Sequence, residues 1–184
     1  MRKFINKFKE FQRKEGGATA VEFAFVAVPF TFLLLGIVEI SLFFAASNLM
    51  HGATSDAARL VKTGQIQQDT SGDPQALFEA AICDHAKVFA DCNKIQYEVI
   101  TMNNFGAFGN YDPSYDENGD LSSQGFNAGG TNDTVLIRTS YLYEFALPFV
   151  KQIFGEGSSG KKRIETTIVL QVEPYDLEEE GGTT

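Results

Sequence analysis

The chain has 184 residues and a formal net charge of −9 at pH 7, so it can hold one modest domain besides any membrane segment. This acidic balance argues against nucleic acid as the main partner, because nucleic-acid affinity rests on lysine and arginine contacts to phosphates. The histidines, His51 and His85, join no constellation of nucleophile and base, so no positive sign of an enzyme is present.

A basic stretch at the amino terminus precedes a long apolar segment. Six lysines and arginines against the two glutamates Glu10 and Glu15 give residues 1–17 a net charge of +4, which leaves −13 on the remainder. As a helix, residues 18–46 would extend about 44 Å, against a hydrocarbon thickness of about 30 Å. A secretory signal peptide has an apolar core of only about 7 to 15 residues. We therefore predict a basic leader at 1–17 and a transmembrane segment at 18–46, with a cytoplasmic amino terminus by the positive-inside rule.

One carboxylate, Glu22, lies a single helical turn into the apolar segment. Insertion scales assign an acidic residue at mid-membrane a cost of roughly 2.5 to 3.5 kcal/mol, so a cationic partner is expected. Cleavage after Gly17 would create that partner, because the new α-amino group of Ala18 would lie about 6 Å from Glu22 along the helix. We interpret the Gly17–Ala18 bond as a cleavage site and the Glu22–Ala18 pair as an assembly contact.

This junction resembles the TadE-like family of minor pilins and pilin-like proteins of tight-adherence (Tad) pilus systems. The resemblance covers the first third of the chain, in three stretches: 17–29, 36–39 and 57–60. It implies that a prepilin peptidase cuts between Gly17 and Ala18, with Glu22 in the fifth mature position. It also implies three kinds of partner, namely that peptidase, other pilin and pilin-like subunits, and the inner-membrane assembly platform, besides the lipid bilayer.

Pro29 and Glu39 interrupt the apolar segment. Because proline removes a backbone donor and clashes with the preceding turn, we predict a helix hinge near residues 26–30, with a tolerated membrane proline as the alternative. Glu39 is a second intramembrane carboxylate. The apolar stretch between Glu22 and Glu39 is shorter than a full span, so we expect the two carboxylates near opposite interfaces.

The first helix is predicted to continue to about residue 63, with Gly64 as its C-cap. A second helix is predicted to begin at Asp73-Pro74, a capping residue followed by proline at the first helical position.

Two cysteines, Cys83 and Cys92, follow in the part predicted to be exported. A disulfide requires Cα atoms within about 7 Å, so the second helix must end between them if they pair. Pairing is the favoured interpretation for an oxidising compartment, with two free buried thiols as the alternative. A metal site is not favoured, because His85 is the only nearby nitrogen ligand and no zinc-type spacing occurs.

Three strand-like stretches, 94–102, 134–145 and 163–173, predict an antiparallel sheet, and residues 147–154 predict a short helix. The predicted fold class is α+β. A long N-terminal helix would pack on a small C-terminal head, residues 64–184, which holds the sheet and one or two short helices.

Residues 103–133 are rich in glycine and asparagine interleaved with aromatic side chains. We hypothesise a surface loop that contacts neighbouring subunits or a target surface, with a mobile loop of no function as the alternative. The run from Gly155 to Lys162 is close to a phosphate-binding loop, but Lys162 replaces the required Ser or Thr and a helix precedes it. Residues 112–120 do not have the register of a calcium loop. We therefore assign neither cofactor nor metal.

Together these features indicate a minor pilin or pilin-like component of a Tad-type pilus, cut by prepilin peptidase and taking part in pilus assembly and surface adhesion. We expect it in the bacterial inner membrane, with a periplasmic head and incorporation into an extracellular pilus. One alternative is an uncleaved single-pass envelope scaffold of the pilus or secretion machinery. Another is a membrane-anchored periplasmic binding module, which a ligand-sized pocket with clustered titratable groups would favour.

Overall fold

The computed structural model describes residues 16–70, 72–157 and 159–175. The leader, except for its last two residues, therefore lies outside the described residues. Two compact units are present, one reaching to Leu42 and the other beginning at Phe43. The second unit is called the head below.

The first helix, α1, spans Gly16–Lys62 and crosses the boundary between the two units. Among the residues that the structure describes, one helical stretch, Thr19–Lys62, is long and apolar enough to cross a membrane. Its large apolar side chains before Leu42 are mostly exposed, as Phe25 is at 78%. Such a surface is typical of a helix that meets lipid or another helix rather than water.

Helix α1 ends at Lys62, within a residue of the prediction, in a Schellman motif. The Gln65 N–H donates to the carbonyl of Leu60 at 3.0 Å, and the Gly64 N–H donates to the carbonyl of Val61 at 3.2 Å. Gly64 has φ +74°, which a residue without a Cβ adopts most easily.

Helix α2 spans Pro74–Ala86 and begins as the sequence predicts. The Asp73 carboxylate caps it by accepting the Ala76 N–H at 2.9 Å. The helix ends before Cys92, which lies in a 3-10 turn, Cys92–Lys94.

The head contains three antiparallel strands in its described residues: β1 at Gln96–Met102, β2 at Thr134–Glu144 and β3 at Lys161–Gln171, in the order β1-β2-β3. The last helix, α3, spans Pro148–Phe154 and lies in the connection from β2 to β3. The α+β class is therefore confirmed, as is the antiparallel sheet. Strand β1 starts two residues later than predicted because the 3-10 turn occupies the preceding positions.

One face of the sheet packs on the head portion of α1. The buried positions of the helix recur at helical spacing and are mostly small, which lets the helix approach the sheet closely: Ala46, Met50, Ala53, Ala57 and Val61. They share a core with Val135 and Ile137 of β2. At the middle of this contact the buried hydroxyls of Thr54 and Thr139 are hydrogen-bonded at 2.6 Å.

Candidate functional site

The predicted cleavage site lies in the first turn of α1. Gly17 is helical and half-buried, and Ala18 follows it in the same turn. Glu22 lies one turn further along and is exposed on the helix surface. Positions four apart face the same side of a helix, so the backbone amine that cleavage would free at Ala18 is on the side of Glu22.

The backbone around Pro29 remains helical in this structure, since α1 continues through it without a break. The hinge at Pro29 therefore stays a prediction. A shallow apolar groove of about 270 Å³ lies beside it, formed by side chains spaced along one face of the helix: Ala27, Val28, Thr31, Phe32 and Leu35. Small side chains at such a groove allow a second helix to approach closely.

The two carboxylates of the apolar segment occupy different environments. Glu22 is exposed, whereas Glu39 is only 5% exposed. A carboxylate removed from solvent needs hydrogen bonds or a counter-charge, so Glu39 cannot act as a free surface charge as the exposed Glu22 can.

Cys83 and Cys92 form a disulfide with a Cα–Cα distance of 5.5 Å. The bond joins α2, three residues before its end, to the first residue of the 3-10 turn that precedes β1. The helix does end between the two cysteines, as pairing required.

The second face of the sheet carries a buried ion pair that the strand pattern does not reveal. Arg138 of β2 donates to Glu98 on the neighbouring strand, and the two side chains are 2% and 0% exposed. Arg138 also donates to the backbone carbonyl of Tyr111 at 2.8 Å. The Gln124 N–H donates to the Glu98 carboxylate at 3.2 Å. Two separate parts of the stretch 103–133 therefore contact the ion pair, at Tyr111 and at Gln124.

The glycine-rich stretch 103–133 is therefore folded against the sheet. Tyr115 stacks under the Arg163 guanidinium, 3.5 Å from ring centroid to Cζ, and donates to the Glu165 carboxylate. Burial, followed by that hydrogen bond, raises the pKa of Tyr115 to about 12. Further along, Phe126 pairs with Val99 at the outer edge of β1, with the Asn127 N–H donating to the Val99 carbonyl at 2.6 Å. Parts of this stretch contact the sheet while most of its residues are exposed, so the hypothesis of a surface loop that contacts neighbouring subunits or a target stays a prediction.

An open cleft of about 660 Å³ lies between α2, the disulfide and the start of β1. At its edge Gln75 donates to the Tyr97 hydroxyl at 2.6 Å, and that hydroxyl donates to Glu79. Burial and the bond to Glu79 raise the pKa of Tyr97 to about 12. Phe126, Ile82 and Ile95 supply apolar walls. Sequence inspection missed this group because its members come from distant parts of the chain with no local motif.

The residues considered for calcium form a turn instead. The Asp116 carboxylate accepts the N–H groups of Asn118 at 2.9 Å and Asp120 at 2.8 Å. These backbone bonds, that of Asp120 foremost, lower the pKa of Asp116. In the described residues no group of three or more histidine, cysteine, aspartate or glutamate side chains is placed to hold a metal ion.

In the described part of the chain, an apolar helix long enough to cross a membrane continues into a disulfide-containing α+β head, an arrangement that fits a membrane-anchored protein. The family model described as TadE-like protein matches residues 17–59, which confirms the resemblance seen in the sequence. The TadE-like segment begins at Gly17 and ends inside α1, and it relates the protein to Tad pili. No curated protein and no solved structure matches the chain.

Proposed function

We propose that this protein is a minor pilin-like subunit of a Tad-type pilus, cut by prepilin peptidase between Gly17 and Ala18 and then taken into the growing fibre. The observation that carries the proposal is the TadE-like match, which starts at the residue after which cleavage is proposed. The partners are then the peptidase, other pilin-like subunits and the assembly platform of the inner membrane.

Glu22 supplies a physical reason for cleavage, because it needs a positive partner. Its carboxylate is exposed on an apolar helix, where leaving it unpaired in lipid is costly. A freed amino group at Ala18, from the same chain or from a neighbour, would neutralise it and set the register between adjacent helices. The groove at residues 27–35 lies about two turns further on and offers a surface for the same neighbouring helix.

Pro29 and Glu39 have supporting roles in this proposal. Pro29 lacks a backbone donor, so the helix is weakest there and can bend when the subunit moves from bilayer to fibre. Glu39, at the far end of the apolar stretch that begins after Glu22, would lie near the periplasmic interface. The head, held by its disulfide and its covered ion pair, gives the subunit its specificity for partners and for an adhesion surface.

Amino-terminal sequencing of membrane and sheared-fibre fractions tests the processing step. We expect a mature start at Ala18 in both fractions. Gly17→Val should block cleavage, because its branched side chain would crowd the scissile carbonyl, whereas the matched change Gly16→Val lies one residue further away and should be cut. A wild-type protein that keeps its leader in both fractions would instead support the uncleaved scaffold.

The role of Glu22 is tested in the same fractions. We expect Glu22→Ala to be cut at Ala18 yet largely lost from sheared fibres, because its helix no longer offers a counter-charge to the amino terminus. Glu22→Asp keeps the charge and should restore part of the incorporation. Normal incorporation of Glu22→Ala would remove charge pairing from the proposal.

The cleft beside α2 favours a second candidate function, that of a membrane-anchored periplasmic binding module. Its volume of about 660 Å³ is in the range of small-molecule sites, and Glu79 and Tyr97 supply convergent polar groups. The test is a thermal-shift screen of small polar compounds on the full-length protein in detergent, repeated with Phe126→Ala. A compound that stabilises the wild type but not the variant would support this function, and a screen without such a compound would count against it.

A further inference from the structure

A short apolar segment projects from the head where the chain turns from β2 to β3. Helix α3 anchors itself through Val150, which is 1% exposed. Its last two residues have large apolar side chains that remain in contact with solvent, Ile153 at 69% and Phe154 at 46%. Adjacent exposed apolar side chains of this size mark a surface that meets another apolar phase.

This segment lies at the end of the head where the chain arrives from the apolar helix. The Phe43 ring is 5.4 Å from the Tyr143 ring and 5.7 Å from the Phe145 ring, so the end of β2 lies beside the first residue of the head. At the other end of the sheet the Glu173 N–H donates to the carbonyl of Lys62 at 2.8 Å. The head portion of α1 thus runs along the sheet, starting from the α3 end.

Phe43 directly follows the first unit along the chain, so under the proposed anchoring the end of the head that holds Phe43 is the end nearest the bilayer. The proposed transmembrane segment reaches residue 46, so Phe43 itself lies at the level of the membrane interface. Tyr143 and Phe145, in ring contact with Phe43, lie at a similar depth, and α3 begins three residues after Phe145. Aromatic side chains are enriched at this level of membrane proteins.

The charges around α3 determine what kind of contact is expected. Lys151 pairs with Glu144 at 3.5 Å, and Lys162 pairs with Glu156 at 2.5 Å. Because these lysines already have partners within the head, attraction to anionic headgroups is not the main force. Their apolar stems can still lie along the interface with the charged ends in water.

We propose that α3 is a second membrane contact of this protein, in which Ile153 and Phe154 insert into the periplasmic leaflet at the boundary between headgroups and acyl chains. The proposal rests on the membrane anchoring that is part of the proposed function. Tethering by α1 makes the weak contact effective, because it keeps the segment at high local concentration beside the lipid. The contact holds the head against the bilayer until assembly withdraws the subunit.

The chain contains no tryptophan, so a single introduced tryptophan reports its own surroundings. Phe154→Trp is the test variant. Phe105→Trp is its matched control, because Phe105 is exposed at 53% and lies beyond Met102, at the opposite end of the sheet. Phe25→Trp, in the apolar helix, reports anchoring itself. Each full-length variant is reconstituted into zwitterionic phosphatidylcholine vesicles with and without brominated acyl chains.

Bromolipid should quench Phe154→Trp at least half as strongly as Phe25→Trp, and Phe105→Trp hardly at all. Adding Ile153→Asn to Phe154→Trp should reduce the quenching, because the polar side chain disfavours insertion. Both residues are solvent-exposed, so we expect the fold to be kept. Quenching of Phe154→Trp no greater than that of Phe105→Trp, with Phe25→Trp still quenched, would overturn the inference and leave anchoring intact.

Two further outcomes separate a failure of anchoring from coverage of α3 by protein. If Phe25→Trp is not quenched, the anchoring itself fails and this inference fails with it. If Phe154→Trp emission shifts to the blue as the protein-to-lipid ratio rises, without bromolipid quenching, a neighbouring subunit covers α3 and the membrane contact is wrong.

Discussion

Arg138 shows how a single residue depends on distant parts of the chain. It sits in the middle of the central strand, where a charge is costly unless it is paired and hydrogen-bonded. Glu98, the Thr167 hydroxyl at 3.3 Å and the Tyr111 carbonyl provide those partners. Removing residues 106–130 would expose this group, so deletion is a poor test of the loop and substitution of its exposed side chains is a better one.

The first residue-scale prediction concerns this ion pair. Arg138→Met should lower the free energy of unfolding by about 3 to 5 kcal/mol, because it leaves Glu98 buried without its partner. Adding Glu98→Leu should recover most of that loss. Urea denaturation of the detergent-solubilised protein measures both, with the exposed Arg59→Met as control, for which about 0.5 kcal/mol or less is expected. A loss equal to that of the control would contradict the prediction.

The second residue-scale prediction concerns Tyr97, whose pKa in the folded protein is about 12 against an ordinary value of 10.0. The folded state favours the neutral phenol, so this contribution to stability is complete below pH 10 and is lost as the pH rises from about 10 to about 12. Tyrosinate absorbance of wild type minus Tyr97→Phe should titrate near pH 12. The stability advantage of wild type over Tyr97→Phe should narrow over the same range. A difference in tyrosinate absorbance that titrates near pH 10 would contradict this prediction.

At the scale of elements, two local features determine the path of the chain between α1 and β1. The Schellman motif at Gly64 ends α1, and the disulfide joins α2 to the turn before β1. Each fixes the chain path at or near the end of a helix, α1 for the motif and α2 for the disulfide.

The disulfide prediction follows from chain entropy. Closing a loop of about ten residues contributes roughly 2.7 kcal/mol in that model, so Cys83→Ala with Cys92→Ala should lower the stability by about that amount. Adding reductant to the wild type should give a similar loss and should leave the double variant unchanged. Equal stability of all four samples would show that the bond contributes nothing.

The helix-end prediction compares two glycines of α1 and its cap. Gly64→Ala should cost about 1 to 2 kcal/mol for the left-handed backbone, and more because the added Cβ would overlap the Tyr175 ring. Gly52→Ala, where the space is open and the backbone helical, should instead raise stability by about 0.5 to 1 kcal/mol. Thermal unfolding of both variants measures the contrast, and a loss at Gly52 as large as at Gly64 would refute it.

At the scale of the whole molecule, charge is divided across the apolar segment. The leader carries +4 and the remainder −13. Replacing the six basic leader residues with glutamine should lower the fraction of molecules whose head is translocated, because lysine and arginine near the span set orientation. A C-terminal reporter that is active only in the periplasm measures that fraction. Unchanged reporter activity would show that the leader does not orient the protein.

The sequence by itself determined the helices and strands, because each has a local pattern of residues that predicts it. Helical spacing and an apolar run define α1, Asp73-Pro74 begins α2, and Gly64 ends α1. Alternation in residues 163–173 defines β3 closely enough to predict the antiparallel sheet. The TadE-like junction at Gly17 was equally visible, since it depends on neighbouring residues alone.

Only the tertiary structure decided which side chains from different helices and strands contact one another. The Glu98–Arg138 pair joins residues 40 positions apart, and the Tyr97–Glu79 contact joins residues 18 apart. Periodicity carries no information on such partners, because it reports which face of an element is apolar and not what covers the other face. For the same reason the sequence does not show that the stretch 103–133 adds hydrogen bonds to this ion pair. In the folded chain the Tyr111 carbonyl accepts from Arg138 and the Gln124 N–H donates to Glu98, two bonds that the sheet alone does not supply.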